Sequence, residues 1–239
     1  MKIDILIPVA LTEAWRKVAV ERYVKHAAPD TVFQGRDMTA LGITKVDYHS
    51  LSEPIVRIAR RAEVEGADAC IIDCFTDPGL KECSTRLSIP VIGVGLAGIL
   101  SAHAADQKFA IITSEDEIVP IIEDNVHRYG VTTAMHSVVA INMPFDQIPY
   151  NRDLALDLLQ QVSEKLVSEV STFVMGCTEL AELSDALCQR LRKLNPAVRV
   201  INPLKAAVKL TETLVLSTCN VAEADAHLPD TALNHQKPI

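Results

Sequence analysis

The sequence predicts an α/β protein with parallel sheets in two similar lobes. Short apolar runs alternate with amphipathic, helix-like stretches along most of the 239 residues. Continuous apolar strands separated by helices are typical of parallel sheets covered on both faces. The order of elements starts again near Gln107. The offset from Lys2 to Lys108 is 106 residues and that from Cys74 to Cys177 is 103, which indicates two related halves.

The first half opens with an apolar strand. In the stretch 52–65, Ile55, Ile58, Ala59 and Ala62 share one helical face, and Pro54 lies near its start. The elements that we predict here are strand 3–9, helix 12–26, helix 52–65, strand 68–73, helix 78–87, strand 90–94 and helix 95–105.

The second half repeats this alternation, and a polar tail follows it. The elements that we predict are strand 108–113, helix 116–128, strand 134–142, helix 152–170, strand 172–176, helix 178–194, strand 198–202 and helix 203–219. Residues 221–239 contain two prolines and no periodicity. We expect this tail to be loosely ordered or to serve subunit contacts.

Composition limits the kinds of binding partner and the cellular compartment that we expect for this protein. The net charge of −8 argues against a general nucleic-acid or anionic-membrane surface. No apolar run approaches the roughly 18 residues that span a bilayer, and the first residues are too acidic for a signal peptide. We therefore expect a cytoplasmic protein that binds a small molecule, with no membrane or nucleic acid as partner. Six cysteines in such a chain indicate buried or catalytic thiols rather than a disulfide framework.

Two segments place a cysteine directly after an apolar run. These are Asp68-Ala-Cys-Ile-Ile-Asp-Cys74-Phe-Thr-Asp-Pro-Gly79 and Ser171-Thr-Phe-Val-Met-Gly-Cys177-Thr-Glu-Leu180. Ligands of open parallel sheets sit beyond the carboxyl ends of the strands, where both thiols would lie. One thiol on each side of a substrate carbon could remove a proton from one face and deliver another to the opposite face. We expect nearby helix N-termini, with Pro78 in a first helical turn, to lower the pKa of both thiols.

Other side chains near these motifs are candidates for holding the substrate. Hydroxyls at strand ends or in first helical turns can hold an anion and can also cap helices; they belong to Thr76, Thr113, Ser114 and Thr178. Asp77 and Glu179 could orient nearby groups or cap helices. Cys70 is expected in the core, and Cys83, Cys188 and Cys219 lie on helices without a comparable setting.

Motifs for metals and nucleotides are missing from the sequence. The seven histidines are scattered, without a His-x-x-x-His pair, and there is no Cys-x-x-Cys. There is no Walker loop, and Gly93-Val-Gly95 is an isolated pair of glycines. We therefore expect neither a metal nor a cofactor.

The cysteine motifs also carry a family resemblance. Cys74-Phe-Thr-Asp-Pro-Gly-Leu80 and Gly176-Cys-Thr-Glu-Leu180 resemble the paired motifs of the aspartate/glutamate/hydantoin racemase superfamily, nearest its hydantoin branch. Similarity extends to Phe109–Ser114, Val126–Gly130 and Ile201–Lys209, and covers the chain from the first strand to about Leu216. Amino-acid racemases often carry histidine after the second Cys-Thr, where this chain has Glu179. In the first loop, Leu6-Ile-Pro-Val-Ala10 keeps only Pro8 of the family's Asn-Pro-Asn-Thr type sequence.

The resemblance implies two flavodoxin-like lobes with the active site in the cleft between them. We also expect a homo-oligomer. The resemblance further implies that the final helix returns to the first lobe. Lobe 1 would then comprise residues 1–104 and 206–239 with Cys74, and lobe 2 residues 105–205 with Cys177. With the two cysteines as catalytic bases, the expected substrate contacts are Pro8, Phe75, Thr76, Asp77, Thr113, Ser114, Gly176, Thr178 and Glu179.

The expected activity is cofactor-independent racemisation of a carbonyl-flanked stereocentre, first of a 5-substituted hydantoin or related cyclic ureide. Three alternatives stay open. They are an aspartate/glutamate-type racemase, a maleate-isomerase-like cis–trans isomerase, and a small-carboxylate binding protein without catalysis. A malonate decarboxylase is less favoured because that branch keeps only the second cysteine.

Overall fold

Two four-stranded parallel sheets form the centre of the protein. The computed structural model describes residues 1–43, 50–105 and 108–217. The first sheet contains β1 (Lys2–Ile7), β2 (Val32–Asp37), β3 (Ala69–Ile72) and β4 (Val91–Gly93) in the order β2-β1-β3-β4. The second contains β5 (Phe109–Thr113), β6 (Met135–Ala140), β7 (Thr172–Met175) and β8 (Arg199–Ile201) in the matching order β6-β5-β7-β8. The predicted fold class of two similar parallel α/β lobes is confirmed.

Helices cover both sheets. In chain order they are α1 (Glu13–Val24), α2 (Ser52–Val64), α3 (Leu80–Arg86), α4 (Val94–Ala105), α5 (Val119–Arg128), α6 (Arg152–Glu164), α7 (Ser184–Leu191) and α8 (Pro203–Ser217). Helix α8 follows the last strand of the second sheet and packs against α4, α1, β3 and β4. In residues 1–43, 50–105 and 108–217 no helix combines the length and apolar character that crossing a membrane requires.

Strand β2 was not predicted from the sequence. It lies at the edge of the first sheet, pairs with β1 and alternates between exposed and half-buried positions before its last two residues. An edge strand needs no continuous apolar run, so its Val-Phe-Gln-Gly-Arg-Asp sequence gives a weak signal. A Cβ atom at Gly35 would lie 2.8 Å from the Val20 side chain and 2.9 Å from that of Arg16. The glycine therefore lets α1 pack closely on this edge.

Two predicted helices near the cysteines are shorter than expected. The stretch 78–87 becomes helical only at Leu80, after Gly79 at φ 72°, so Pro78 is not in a helical turn. The stretch 178–194 divides into a 3₁₀ turn, Leu180–Leu183, and α7. The prediction that an α-helix begins directly after each thiol was therefore wrong. The predicted tail 221–239 and Cys219 lie outside the described residues.

The apolar core runs through both lobes. One buried cluster includes Ile5 and Ile71 of the first sheet together with Ile111 and Val174 of the second. These strands are the inner pairs of their sheets. Cys70 is completely buried, as predicted for a core residue. The shared core fixes β3 and β7 relative to each other, and the two cysteine motifs follow these strands.

Candidate active site

Cys74 and Cys177 occupy equivalent positions in the two lobes. Each is the second residue after the third strand of its sheet in sequence order, β3 for Cys74 and β7 for Cys177. Both side chains line one cavity of about 140 Å³. Two thiols from different lobes therefore reach the same small space.

Most of the expected substrate contacts line this cavity with the thiols. From lobe 1 these are Pro8, Phe75 and Thr76, and from lobe 2 they are Ser114, Gly176, Thr178 and Glu179. Other lining residues were not named from the sequence, among them Val9, Arg22, Asp73, Glu115 and Phe145. The cavity therefore combines an apolar wall with backbone and hydroxyl groups at the strand ends.

Thr76 holds the Cys74 thiol. The Thr76 hydroxyl oxygen lies 3.1 Å from the Cys74 sulfur. Burial raises the pKa of Cys74 to about 12, although hydrogen bonds from the Thr76 side chain and backbone N–H lower it. The charges of Asp77 and Cys177 act in the raising direction. At neutral pH the folded protein therefore holds Cys74 as a thiol.

Cys177 is more deeply buried and has more hydrogen-bond donors. Burial raises its pKa to about 11, against the lowering effect of the Glu179 and Leu180 backbone N–H groups and the Ser114 hydroxyl. We expected helix N-termini to lower the pKa of both thiols, and the structure contradicts this. Helix α3 begins six residues after Cys74, only a 3₁₀ turn follows Cys177, and burial outweighs the donors that remain.

Asp77 lies outside the shared cavity. Its carboxylate accepts hydrogen bonds from the backbone N–H groups of Gly95 at 2.9 Å and Leu96 at 2.6 Å, and from the Tyr129 hydroxyl at 2.6 Å. It lines a second cavity of about 530 Å³, and burial raises its pKa to about 7. The expected substrate contact does not fit this position, because the carboxylate is used at the start of α4.

The pair Gly93 and Gly95 makes room for the loop that follows Cys74. A Cβ atom at Gly93 would lie 2.1 Å from the Asp77 carboxylate, and one at Gly95 would lie 2.1 Å from the carbonyl oxygen of Phe75. Any larger residue at either position would displace this loop. The Gly-Val-Gly segment thus has a packing role next to the cleft.

Thr113 is also turned away from the cavity. Its buried hydroxyl donates a 2.9 Å hydrogen bond to the carbonyl oxygen of Gly176, which precedes Cys177. Thr113 is not among the residues lining the cavity. Its expected contact with the substrate is replaced by a role in holding the Cys177 loop, because its donor is already used inside the lobe.

Comparison with known proteins identifies the family of this chain. The sequence model of Asp/Glu/Hydantoin racemase matches residues 9–211. This chain belongs to that family. It is therefore an enzyme of the isomerase class, a racemase, as its relatives are.

Two curated relatives and one solved structure illustrate the similarity of this racemase. A hydantoin racemase of Rhizobium meliloti is 35% identical over 195 residues, which cover 80% of this chain and 79% of the relative. One of Pseudomonas sp. (strain NS671) is 26% identical over 208 residues, covering 83% and 82%. The allantoin racemase from Klebsiella pneumoniae superposes with a TM-score of 0.81 at 24% identity, covering 96% and 94%. This last likeness shows that the fold is shared.

Arg22 is the main residue of the racemase site that the sequence did not reveal. It lies in the last turn of α1 and extends into the cleft. It donates to Glu179 at 2.6 Å, to Asp73 at 3.4 Å and to the carbonyl oxygen of Thr178 at 3.4 Å. An arginine near a helix end resembles an ordinary solvated side chain in sequence, so only the tertiary fold identifies it.

In the part of the racemase that the structure describes, no three His, Cys, Asp or Glu side chains cluster in a way that could hold a metal ion. Two acidic side chains of the cleft instead accept hydrogen bonds from neighbouring side chains. Asp73 accepts from Arg22 and from the Tyr23 hydroxyl, and Glu179 accepts from Arg22. The reactive groups of the site are the thiols of Cys74 and Cys177, and each thiol has hydrogen-bond donors beside it.

Proposed function

We propose that this racemase uses Cys74 and Cys177 as its two bases and acts, without a cofactor, on a 5-substituted hydantoin or related cyclic ureide. The observation that carries the proposal is that both thiols reach one cavity from opposite lobes. The relatives named hydantoin racemase and allantoin racemase support the substrate class. Both of those compounds contain the same five-membered ureide ring.

The reaction needs two proton transfers at C5 of the ring. One cysteine, as the thiolate that is the minor form at neutral pH because burial raises both pKa values, takes the C5 proton. The C–H bond breaks, an S–H bond forms and the charge moves to the adjacent carbonyl oxygen. The other cysteine, as thiol, gives its proton to the opposite face and becomes the thiolate. The product is the mirror image, and the two thiols have exchanged protonation states. Positioned proton transfer of this kind typically contributes roughly 10²–10⁴ in rate.

The size of the cavity supports a small ring. Its volume is about 140 Å³. For comparison, an apolar protein cavity of about 150 Å³ holds one benzene molecule. A five-membered ring of similar size could therefore sit between the two thiols, with a flat face toward each one. That orientation places the C5–H bond in line with one sulfur.

The charges around the cavity support a neutral ring over a free amino acid. Among the described lining residues, Arg22 is the one basic side chain, and it already pairs with Asp73 and Glu179. Aspartate or glutamate would bring two carboxylates into a space that also contains Glu115. Like charges at short range cost free energy, whereas the N–H groups of a ureide can donate to such acids.

A substrate panel in heavy water tests the proposal. NMR would follow loss of the proton at the stereocentre, and chiral chromatography would follow inversion, for hydantoins, allantoin, aspartate, glutamate and maleate. Near-neutral pH and a blank without enzyme are needed because C5 of hydantoins exchanges spontaneously in base. We expect exchange and inversion of cyclic ureides, unchanged by EDTA.

Other results of the substrate panel would favour a different substrate, function or mechanism. A clear preference for aspartate or glutamate would leave the thiol pair standing and overturn the substrate. Isomerisation of maleate without inversion of any ureide would favour the cis–trans isomerase. Tight carboxylate binding without any turnover would favour a binding protein. Activity lost to a chelator and restored by a divalent metal would overturn the cofactor-independent mechanism.

A further inference from the structure

Arg22 connects the two loops that carry the cleft cysteines. It belongs to α1 of the first lobe, and its side chain is only 12% exposed. One terminal nitrogen donates to Glu179 at 2.6 Å in the second lobe, and the other donates to Asp73 at 3.4 Å in the first. A single guanidinium therefore bridges the cleft.

Both partners of Arg22 are adjacent to a thiol. Asp73 immediately precedes Cys74 and is fixed by its backbone N–H, which donates to Leu6, and by the Tyr23 hydroxyl at 2.6 Å. Glu179 comes two residues after Cys177, and its backbone N–H donates to that thiol. A shift of Arg22 would therefore move the backbone at both sulfurs.

A second cation, at the residue that directly follows α1, provides an internal comparison. Lys25 also bridges the lobes, through a 2.5 Å ion pair with Glu182, but its side chain is 45% exposed and neither residue lines the cavity. Exposed pairs of this kind contribute little. Arg22 instead has a rigid planar fork in a buried setting. Burial alone would lower its pKa, but Asp73 and Glu179 outweigh this and raise it above the ordinary value.

We propose that Arg22 is a positioning residue that sets the separation of the Cys74 and Cys177 sulfurs by tying Asp73 to Glu179. This inference rests on the two-cysteine racemisation proposed above. Reactions between positioned groups are sensitive to placement, and a displacement of about 1 Å can cost roughly 100-fold in rate. With the tie loosened, one thiol can still remove a proton while the other is out of place to complete inversion.

The ratio of deuterium exchange to inversion measures this role directly. In a misaligned enzyme the intermediate is more often reprotonated from the side on which it formed, so exchange exceeds inversion. The ratio does not depend on how much of the sample is active. A variant that is merely less stable therefore loses both activities together and keeps the wild-type ratio.

Three variants separate the possibilities. Arg22→Lys keeps the charge and removes the fork, and Lys25→Gln, at the end of the same helix, is the matched control. The combined variant Arg22→Met, Asp73→Asn, Glu179→Gln removes the tie without leaving a buried charge unpaired, and circular dichroism checks that each protein is folded. We expect the ratio to rise at least about tenfold in Arg22→Lys and in the combined variant. It should stay within about twofold of wild type in Lys25→Gln.

Contrary results fall into separate groups. An unchanged ratio in Arg22→Lys, an equal rise in Lys25→Gln, or a folded Arg22→Lys that neither exchanges nor inverts would overturn the positioning role alone. A wild-type protein that leaves every ureide unchanged would overturn the proposed function, and the role of Arg22 with it.

Discussion

The hydroxyl of Tyr129 lies 2.6 Å from the carboxylate of Asp77, and this contact joins the two lobes behind the cleft. Asp77 belongs to the loop after Cys74, and Tyr129 follows α5 of the second lobe. Asn125 of the same helix donates a 2.8 Å hydrogen bond to the carbonyl oxygen of Thr76. The loop that carries Cys74 is therefore held from lobe 2 as well as from its own sheet.

Replacing Tyr129 should weaken this anchor. We expect Tyr129→Phe to lower the free energy of unfolding by about 1–3 kcal/mol, because a hydrogen bond to a buried carboxylate is lost. Urea denaturation followed by circular dichroism would measure it. The control is Tyr150→Phe, at a tyrosine that is 70% exposed, with an expected change within about 0.5 kcal/mol. Equal effects of the two substitutions would contradict the anchoring role.

Asp77 should make stability depend on pH. Its pKa is raised from 3.8 to about 7, so between these values the folded state holds a proton that the unfolded state has lost. The free energy of unfolding should therefore fall as pH rises through this range, with a contribution from this group of at most about 1.4 kcal/mol per pH unit.

The comparison with Asp77→Asn isolates this contribution. Between about pH 4 and pH 7, the free energy of unfolding of the wild type should fall relative to that of the variant. Above about pH 7 the difference between the two should level off. Denaturation curves at several pH values would show it. If this difference is constant with pH, or if the wild type becomes more stable relative to the variant as pH rises, the pKa of Asp77 is not raised.

Gly95 should tolerate no side chain. In Gly95→Ala the new Cβ would lie 2.1 Å from the backbone oxygen of Phe75, next to Cys74. We expect destabilisation of at least about 2 kcal/mol and loss of activity, because this backbone cannot move aside without moving the loop. Gly98→Ala, in the same helix, meets its nearest atom at 3.1 Å and should cost clearly less. Similar melting temperatures for the two variants would refute this packing role.

The sequence was informative where apolar burial dominates. Strands β1, β3, β5 and β7 are inner strands, and their mainly apolar runs identified them, although β1 contains the buried Asp4. The edge strand β2 lacked such a run. The cysteine pair could be found because strand ends in parallel sheets meet at one edge. The structure places Asp77 and Thr113 outside the cavity, and Asp77 instead takes the helix-capping role that its sequence position also allowed. The direction of a side chain at a strand end depends on tertiary contacts that the sequence does not show. Arg22 was missed because an arginine near a helix end resembles an ordinary solvated side chain, and only the tertiary fold brings it to the cleft.

The thiols should react as weak acids. Because burial raises the pKa of Cys74 to about 12 and of Cys177 to about 11, both are neutral at pH 7 and become thiolates only as pH rises. We expect iodoacetamide labelling of each, mapped by peptide mass spectrometry, to increase steadily up to at least about pH 10, and substrate to slow it. A labelling rate that is already constant below pH 8 would show that the thiols are activated in the free enzyme.

The most direct measurement of the two-base account follows the C5 proton of each hydantoin enantiomer separately, in heavy water, with Cys74→Ser and Cys177→Ser. Cys188→Ser is the control, since Cys188 does not line the cavity. We expect each cleft variant to lose inversion by at least about 100-fold while still exchanging the proton of one enantiomer, a different one for each variant. Inversion at the wild-type rate by either variant, or exchange of the same enantiomer by both, would contradict a thiol base on each face.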